Sequence, residues 1–292
     1  MWVSVQVSEL IKALGLVGAL ISAPMSAFAD TAPQPGAPAR IVSMNLCTDQ
    51  LAMMVAGEGQ LLSVSNMASD PRSSAMVSRA AAYLTNHGLA EEIYLMQPDL
   101  VLAGNFSAQA TVDMLRRLGI PVAVFNQAYT LEDVRDRLTQ MGDVLKQQDQ
   151  AAMLVAQYDA QLATYREDVT LRPRAALYYA NGYTAGDKTL AGQILTTAGL
   201  FNIATEAGFN ADGIIPMEIL VMAQPDTVIT SRPYPGASRS EEVNAHPAIE
   251  ALRRTRPDAA LTSSDWVCGT PFVLQAISDM VDLRRALQAN TP

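Results

Sequence analysis

Residues 148–169, QDQAAMLVAQYDAQLATYREDV, decide how the rest of the chain is read. Their apolar side chains Ala151, Leu154, Val155, Tyr158, Leu162, Tyr165 and Val169 recur at the three- and four-residue spacing that lays one stripe along an α-helix. A helix over the whole stretch, at about 1.5 Å per residue, would be a rod of roughly 33 Å, the width of a small domain. On both sides of it strands alternate with helices. Before it come strands at 40–45 (RIVSMN), 61–65, 100–103 and 121–125, with helices at 46–56, 89–96, 109–118 and 131–145 and a polar, turn-rich segment at 66–74. After it, Arg172-Pro173-Arg174 breaks the helix; strands follow at 175–179, 227–231 and 259–262, and helices at 190–198, 217–222, 246–255 and 271–289. Such alternation indicates parallel βα units, so the pattern predicts two α/β lobes flanking one rod.

The chain of 292 residues is 49 % hydrophobic and 17 % charged, enough to bury one large core or two moderate ones. Twenty Lys and Arg against 29 Asp and Glu leave a net charge of -9 with no basic run, which argues against nucleic acid as a partner. Residues 1–29 read as a secretory signal: Lys12, the apolar run ALGLVGALI, then Ala27-Phe28-Ala29 as a cleavage site. The apolar run is far shorter than the ~20 residues that span a bilayer, so a soluble, exported mature protein is expected. Residues 30–39 form a Pro-rich tether.

Two segments repeat in register. EEIYLMQPDLV at 91–101 lies without gaps on EILVMAQPDTV at 218–228, with a shared Glu seven residues before the Pro. No G-x-S-x-G, H-E-x-x-H or P-loop pattern is present, so an exported enzyme using the inter-lobe cleft is a lesser alternative, resting on Ser263-Ser264-Asp265 and on His87 or His246 as a base. Two His in different lobes are too few for a directly bound metal, so no metal site and no cofactor are expected.

RIVSMN, the QPDLV and QPDTV turns, LRRLGIPV at 115–122, the TAG of residues 184–186 and LTSSDW at 261–266 together resemble the class III substrate-binding proteins of ABC importers, across residues 40–289. The resemblance implies an α/β fold of two three-layer lobes with mainly parallel sheets, residues 40–147 and 170–292, joined by one long α-helix at 148–169. A ligand cleft lies between the lobes, which move little on binding. It further implies a monomer that captures an iron complex of the ferric siderophore or haem type, or alternatively a corrinoid, and hands it to a permease in the inner membrane. Glu91 and Glu218 stand where that family docks a carboxylate from each lobe onto the permease. Cobalamin-binding relatives carry several aromatic residues where this chain has Met67, Thr85, Gly104 and Asp212, which weakens the corrinoid reading, although Asp265-Trp266 matches a pair near the ligand. The candidate cleft residues are Met67, Arg72, Arg79, Tyr83, Tyr179, Tyr183, Arg232, Tyr234, Asp265 and Trp266, with Arg239 beside them: arginines suit anionic oxygens and aromatic rings suit flat faces. Cys47 and Cys268 fall in different lobes. In an oxidising compartment they could be bonded or stay as two buried thiols, and the sequence leaves both open.

Overall fold

The structure, a computed structural model, describes residues 36–232, 236, 239–254 and 261–289. The expected signal segment, residues 30–35 of the tether and Tyr234 lie outside the described residues.

The first sheet has five parallel strands, β1 (Ile41–Ser43), β2 (Leu61–Ser65), β3 (Leu84–Asn86), β4 (Leu100–Gly104) and β5 (Val122–Phe125), in the order β3-β2-β1-β4-β5. Helices α1 (Leu46–Val55), α2 (Val77–Ala80), α3 (Ala90–Leu95) and α4 (Gln109–Arg117) connect them. Alternate strand residues face opposite ways, as the period of two requires. Ile41 and Leu102 pack with Leu51 and Met53 of α1, whereas Val42 and Val101 pack with Ile93 of α3 and Leu115 of α4. The sheet is thus the middle of three layers. β3 follows a segment with no clean alternation, and the sequence pattern missed it.

The chain leaves this lobe through α5 (Leu131–Leu145) and α6 (Gln148–Ala163). Thr130 and Asp133 form a capping box at the start of α5, and Lys146 ends it in the left-handed conformation with φ 57°. The two helices form an antiparallel pair. Tyr158 donates to the Leu131 carbonyl at 2.9 Å, and Gly142 lies so close to Ala151 that a Cβ on it would sit 2.4 Å from the Ala151 Cβ. Ala151, Tyr158 and Leu162 of the expected stripe are buried, with Leu154, Val155 and Tyr165 half-buried against the core.

The helix expected over 148–169 stops at Ala163. The Thr164 hydroxyl donates to the Gln161 carbonyl at 2.7 Å, and Glu167 is drawn out to Arg284 at 2.8 Å and Arg285 at 3.5 Å. The local Thr164 bond and the Glu167 ion pairs to the second lobe replace the last turn and a half of helix.

That lobe comprises β6 (Arg174–Leu177), β7 (Tyr183–Ala185), α7 (Leu190–Thr197), β8 (Phe201–Asn202), α8 (Ile203–Glu206), β9 (Asp212–Ile214), α9 (Met217–Ala223), β10 (Thr227–Ser231), α10 (Pro247–Arg254), β11 (Leu261–Thr262) and α11 (Val273–Ala289). Four strands form a parallel sheet in the order β11-β10-β6-β8, and β7 pairs antiparallel with β9. Ala176 and Val228 face Ile203, Leu220 and Ile249, while Leu177 and Ile229 face Ile194 and Ile277. The fold is therefore α/β with a three-layer arrangement in each lobe. One apolar cluster runs without a break from Ile41 and Leu102 through Leu138 and Tyr158 to Leu177 and Ile277, so the lobes share a core along the α5–α6 side.

The repeat is structural as well as sequential. Gln97 and Gln224 both take the left-handed conformation, φ 49° and 45°, ahead of a buried proline. The following aspartates then accept from a backbone N–H at the start of a strand, Asp99 from Arg40 just before β1 at 3.1 Å and Asp226 from Arg174, the first residue of β6, at 2.8 Å. Arg40 donates to the Met96 carbonyl at 2.6 Å, and Arg174 to the Ala223 carbonyl at 3.2 Å.

Candidate binding cleft

The segments after the carboxyl ends of β1, β2 and β5 meet those after β10 and β11. Cys47, after β1, is disulfide-bonded to Cys268, with Cα atoms 5.2 Å apart across 221 residues. Arg72, on the segment after β2, donates to the Arg232 carbonyl at 3.4 Å, and Thr270 to Gln50 at 3.4 Å. A Cβ on Gly269 would lie 2.1 Å from the Ala128 Cβ, so these backbones touch. Six of the expected residues fall into three groups.

Arg72 and Arg232 form the first group. Arg79 and Asp265 form the second, lining one cavity of about 420 Å³ with Ser264, Met76 and Phe272. Partial burial pushes the Asp265 carboxyl up, the Ser263 hydroxyl pulls it down, and Asp279 raises it further. Ser263 also caps the turn by accepting from the Asp265 N–H at 3.3 Å. Trp266 packs half-buried against the shared core.

Tyr179 and Tyr183 form the third group, with ring centroids 6.4 Å apart. Burial raises both phenols. Tyr183 reaches about 12, its hydrogen bond to Asp212 and the neighbouring Tyr129 adding to the effect. Both are therefore neutral hydrogen-bonding rings at any physiological pH. Met67, exposed, and Tyr83, packed against the core, join none of these groups. Arg239 is an exposed residue whose carbonyl accepts from Glu242.

The two histidines have local roles. His87 contacts Glu92 through its ring at 3.2 Å, and the His246 ring accepts from the Ala248 N–H at 3.2 Å. Neither is paired with Ser263 or Ser264 among the described residues, and no group of three metal-ligating side chains occurs among them. Glu91 and Glu218 are exposed in the first turns of α3 and α9.

A further pocket, of about 210 Å³, was not anticipated. Asn45, Cys47, Thr48 and Leu51 line it from the β1 side, Gly104, Asn105 and Phe106 from the end of β4, residues 125–128 from the end of β5, Arg137 from α5, and Val267 and Gly269 from the second lobe. In the order β3-β2-β1-β4-β5 the chain reverses direction across the sheet between β1 and β4, which is where open α/β sheets leave a crevice at their carboxyl ends.

The sequence profile of the periplasmic binding proteins matches residues 41–267. The chain belongs to the periplasmic binding protein family. Among relatives of this binding protein, a cobalamin-binding protein of Halobacterium salinarum is 32 % identical over 147 residues, 48 % of this chain and 39 % of that protein. The ferric enterobactin-binding periplasmic protein FepB of Escherichia coli O6:H1 is 33 % identical over 131 residues, 42 % of this chain and 40 % of that one. These matches thus span about two fifths of each relative's length. The periplasmic heme-binding protein RhuT of Roseiflexus sp. RS-1, in apo form, shares the fold with a TM-score of 0.69 at 21 % identity, covering 85 % of this chain and 98 % of that one.

The pocket residues of this binding protein carry no signal in the sequence. Arg135 and Arg137 are two arginines of one amphipathic helix, yet Arg135 pairs with Glu132 and Asp159 while Arg137 turns to the pocket. Asn126 and Gln127 lie in a connection, where exposed amides are ordinary.

Proposed function

We propose that this protein is a periplasmic carrier that takes up an iron complex of the ferric siderophore or haem type between its lobes and presents it to an ABC importer. The observation that carries this reading is the duplication of the tips. Glu91 and Glu218 occupy matching positions of a repeat that recurs down to its left-handed glutamines and its aspartate caps. A catalytic cleft has no need for two equivalent acidic tips, whereas a partner built of two like halves does, and carboxylates at both ends steer and orient a basic partner. The boundaries that go with this reading are lobes at 40–147 and 170–292, with residues 148–169 between them, and a signal segment at 1–29.

The cleft chemistry supports an anionic or oxygen-rich ligand with flat faces: Arg72, Arg79 and Arg232 on the seam, with Tyr179, Tyr183 and Trp266 as rings. FepB, which binds ferric enterobactin, and RhuT, which binds haem, fit that class. A corrinoid is the second reading, favoured by the Halobacterium relative, a cobalamin-binding protein. No enzymatic role is proposed, because both histidines are engaged locally.

The test is Glu91→Ala combined with Glu218→Ala. The double variant should lose uptake in cells while the purified protein keeps its ligand affinity. Normal uptake by the double variant would overturn the docking assignment.

A further inference from the structure

Arg137 forms no ion pair or hydrogen bond among the described residues, and its Nε is buried without a partner. Around it the pocket gathers side-chain amides that also lack other work. Asn105, Asn126 and Gln127 make no side-chain bond among the described residues. Asn45 spends its Oδ1 on the Cys47 and Thr48 N–H groups, leaving its Nδ2 free to donate. Gly104 is what admits this arrangement, since a Cβ there would lie 3.0 Å from Asn45 Nδ2. The buried Arg137 Nε–H, left without a partner, costs stability unless a ligand or water completes it, whereas Asn105, Asn126 and Gln127 are exposed and stand at the pocket's rim as donors already open to solvent.

We propose that this pocket is a carboxylate-binding subsite, in which Arg137 and the amides hold a carboxylate head and Leu51 and Phe125 flank its aliphatic stem. The single cation matches one negative charge. A phosphate dianion would call for a second cation, and no lysine or other arginine lines the pocket. The subsite opens at the sheet's switch point, beside the disulfide, and both lobes line it. A carboxylate arm of a cleft ligand could therefore reach it. This inference rests on the carrier reading for its physiological occupant, and it narrows that occupant to complexes with a free carboxylate.

The test uses butyrate as the probe. Saturation-transfer NMR of the wild-type protein should show binding of butyrate and none of butanol, and the Arg137 Nε–H resonance should move as butyrate is added. Arg137→Gln, which removes no native bond, should melt as the wild type does and lose the butyrate signal, while Arg137→Lys keeps a weakened one. For a carboxylate-bearing iron complex Arg137→Gln should weaken binding by about tenfold or more, with no effect on an uncharged ferric hydroxamate. No butyrate binding to the wild type, undiminished binding to Arg137→Gln, or displacement of butyrate by inorganic phosphate would each overturn the proposal. A protein that binds butyrate through Arg137 but no iron complex or corrinoid would keep the subsite and lose the carrier role.

Discussion

Asp49 lies in the first turn of α1, fully buried, where Ser65 donates to it from its N–H at 3.1 Å and from its hydroxyl at 2.5 Å. Burial nonetheless wins over these bonds and pushes its carboxyl up to about 7 from 3.8. A proton is therefore bound more tightly in the folded state than in the unfolded chain. Its stabilising effect is complete below the usual carboxylate range, fades as pH rises from about 4 to about 7, and is gone above that. Asp49→Asn keeps a neutral acceptor for Ser65. Thermal melts should show the variant gaining on the wild type at about pH 8 and losing that advantage near pH 4.5. An equal difference at both pH values would contradict this. At this scale the sequence was legible only in part. The arginines and tyrosines of the seam could be named as candidates, but which of them meet depends on contacts between residues far apart in sequence. Arg137 and Asp49 look from the sequence like ordinary helix charges, and only burial distinguishes them.

Elements were easier to read where they are long. α1, α5 and α11 follow the helical period, and β1, β4 and β10 follow apolar runs. β7, β8 and β9 have two or three residues each, too few for any period to show. The end of α6 was lost for a different reason: residues 164–169 keep the helical spacing, but Glu167 gains Arg284 by leaving the helix. The disulfide is the other inter-element tie, and the sequence could not choose between a bond and two thiols because the choice needs the 5.2 Å Cα separation. Closing a loop of 221 residues restricts the unfolded chain strongly. Replacing Cys47 and Cys268 together by Ala should lower the unfolding free energy by about 2–5 kcal/mol in urea titrations. An unchanged midpoint would show that the bond does not tie the fold. Ligand affinity should move much less, because the shared core still holds the lobes.

The whole molecule is joined along one side by that core, by the α5–α6 pair, and across the seam by the disulfide. A wide hinge motion would have to uncover Tyr158, Leu162 and Ile277 and separate Gly142 from Ala151. The cleft is accordingly close to preformed. Solution scattering should find the radius of gyration of the free and loaded protein equal to within about 1 Å, and a change of several ångströms would refute a stiff junction. The two-lobe α/β architecture was legible from the alternation of strands and helices around 148–169. The ligand was not, since its recognition is spread over short loops of both lobes. Native mass spectrometry against haem, ferric siderophores and cobalamin, followed by quenching of Trp266 fluorescence, tests the carrier reading most directly. The account predicts a one-to-one complex with an iron chelate and quenching of the half-buried Trp266 at the seam. A protein that binds none of these compounds would contradict it.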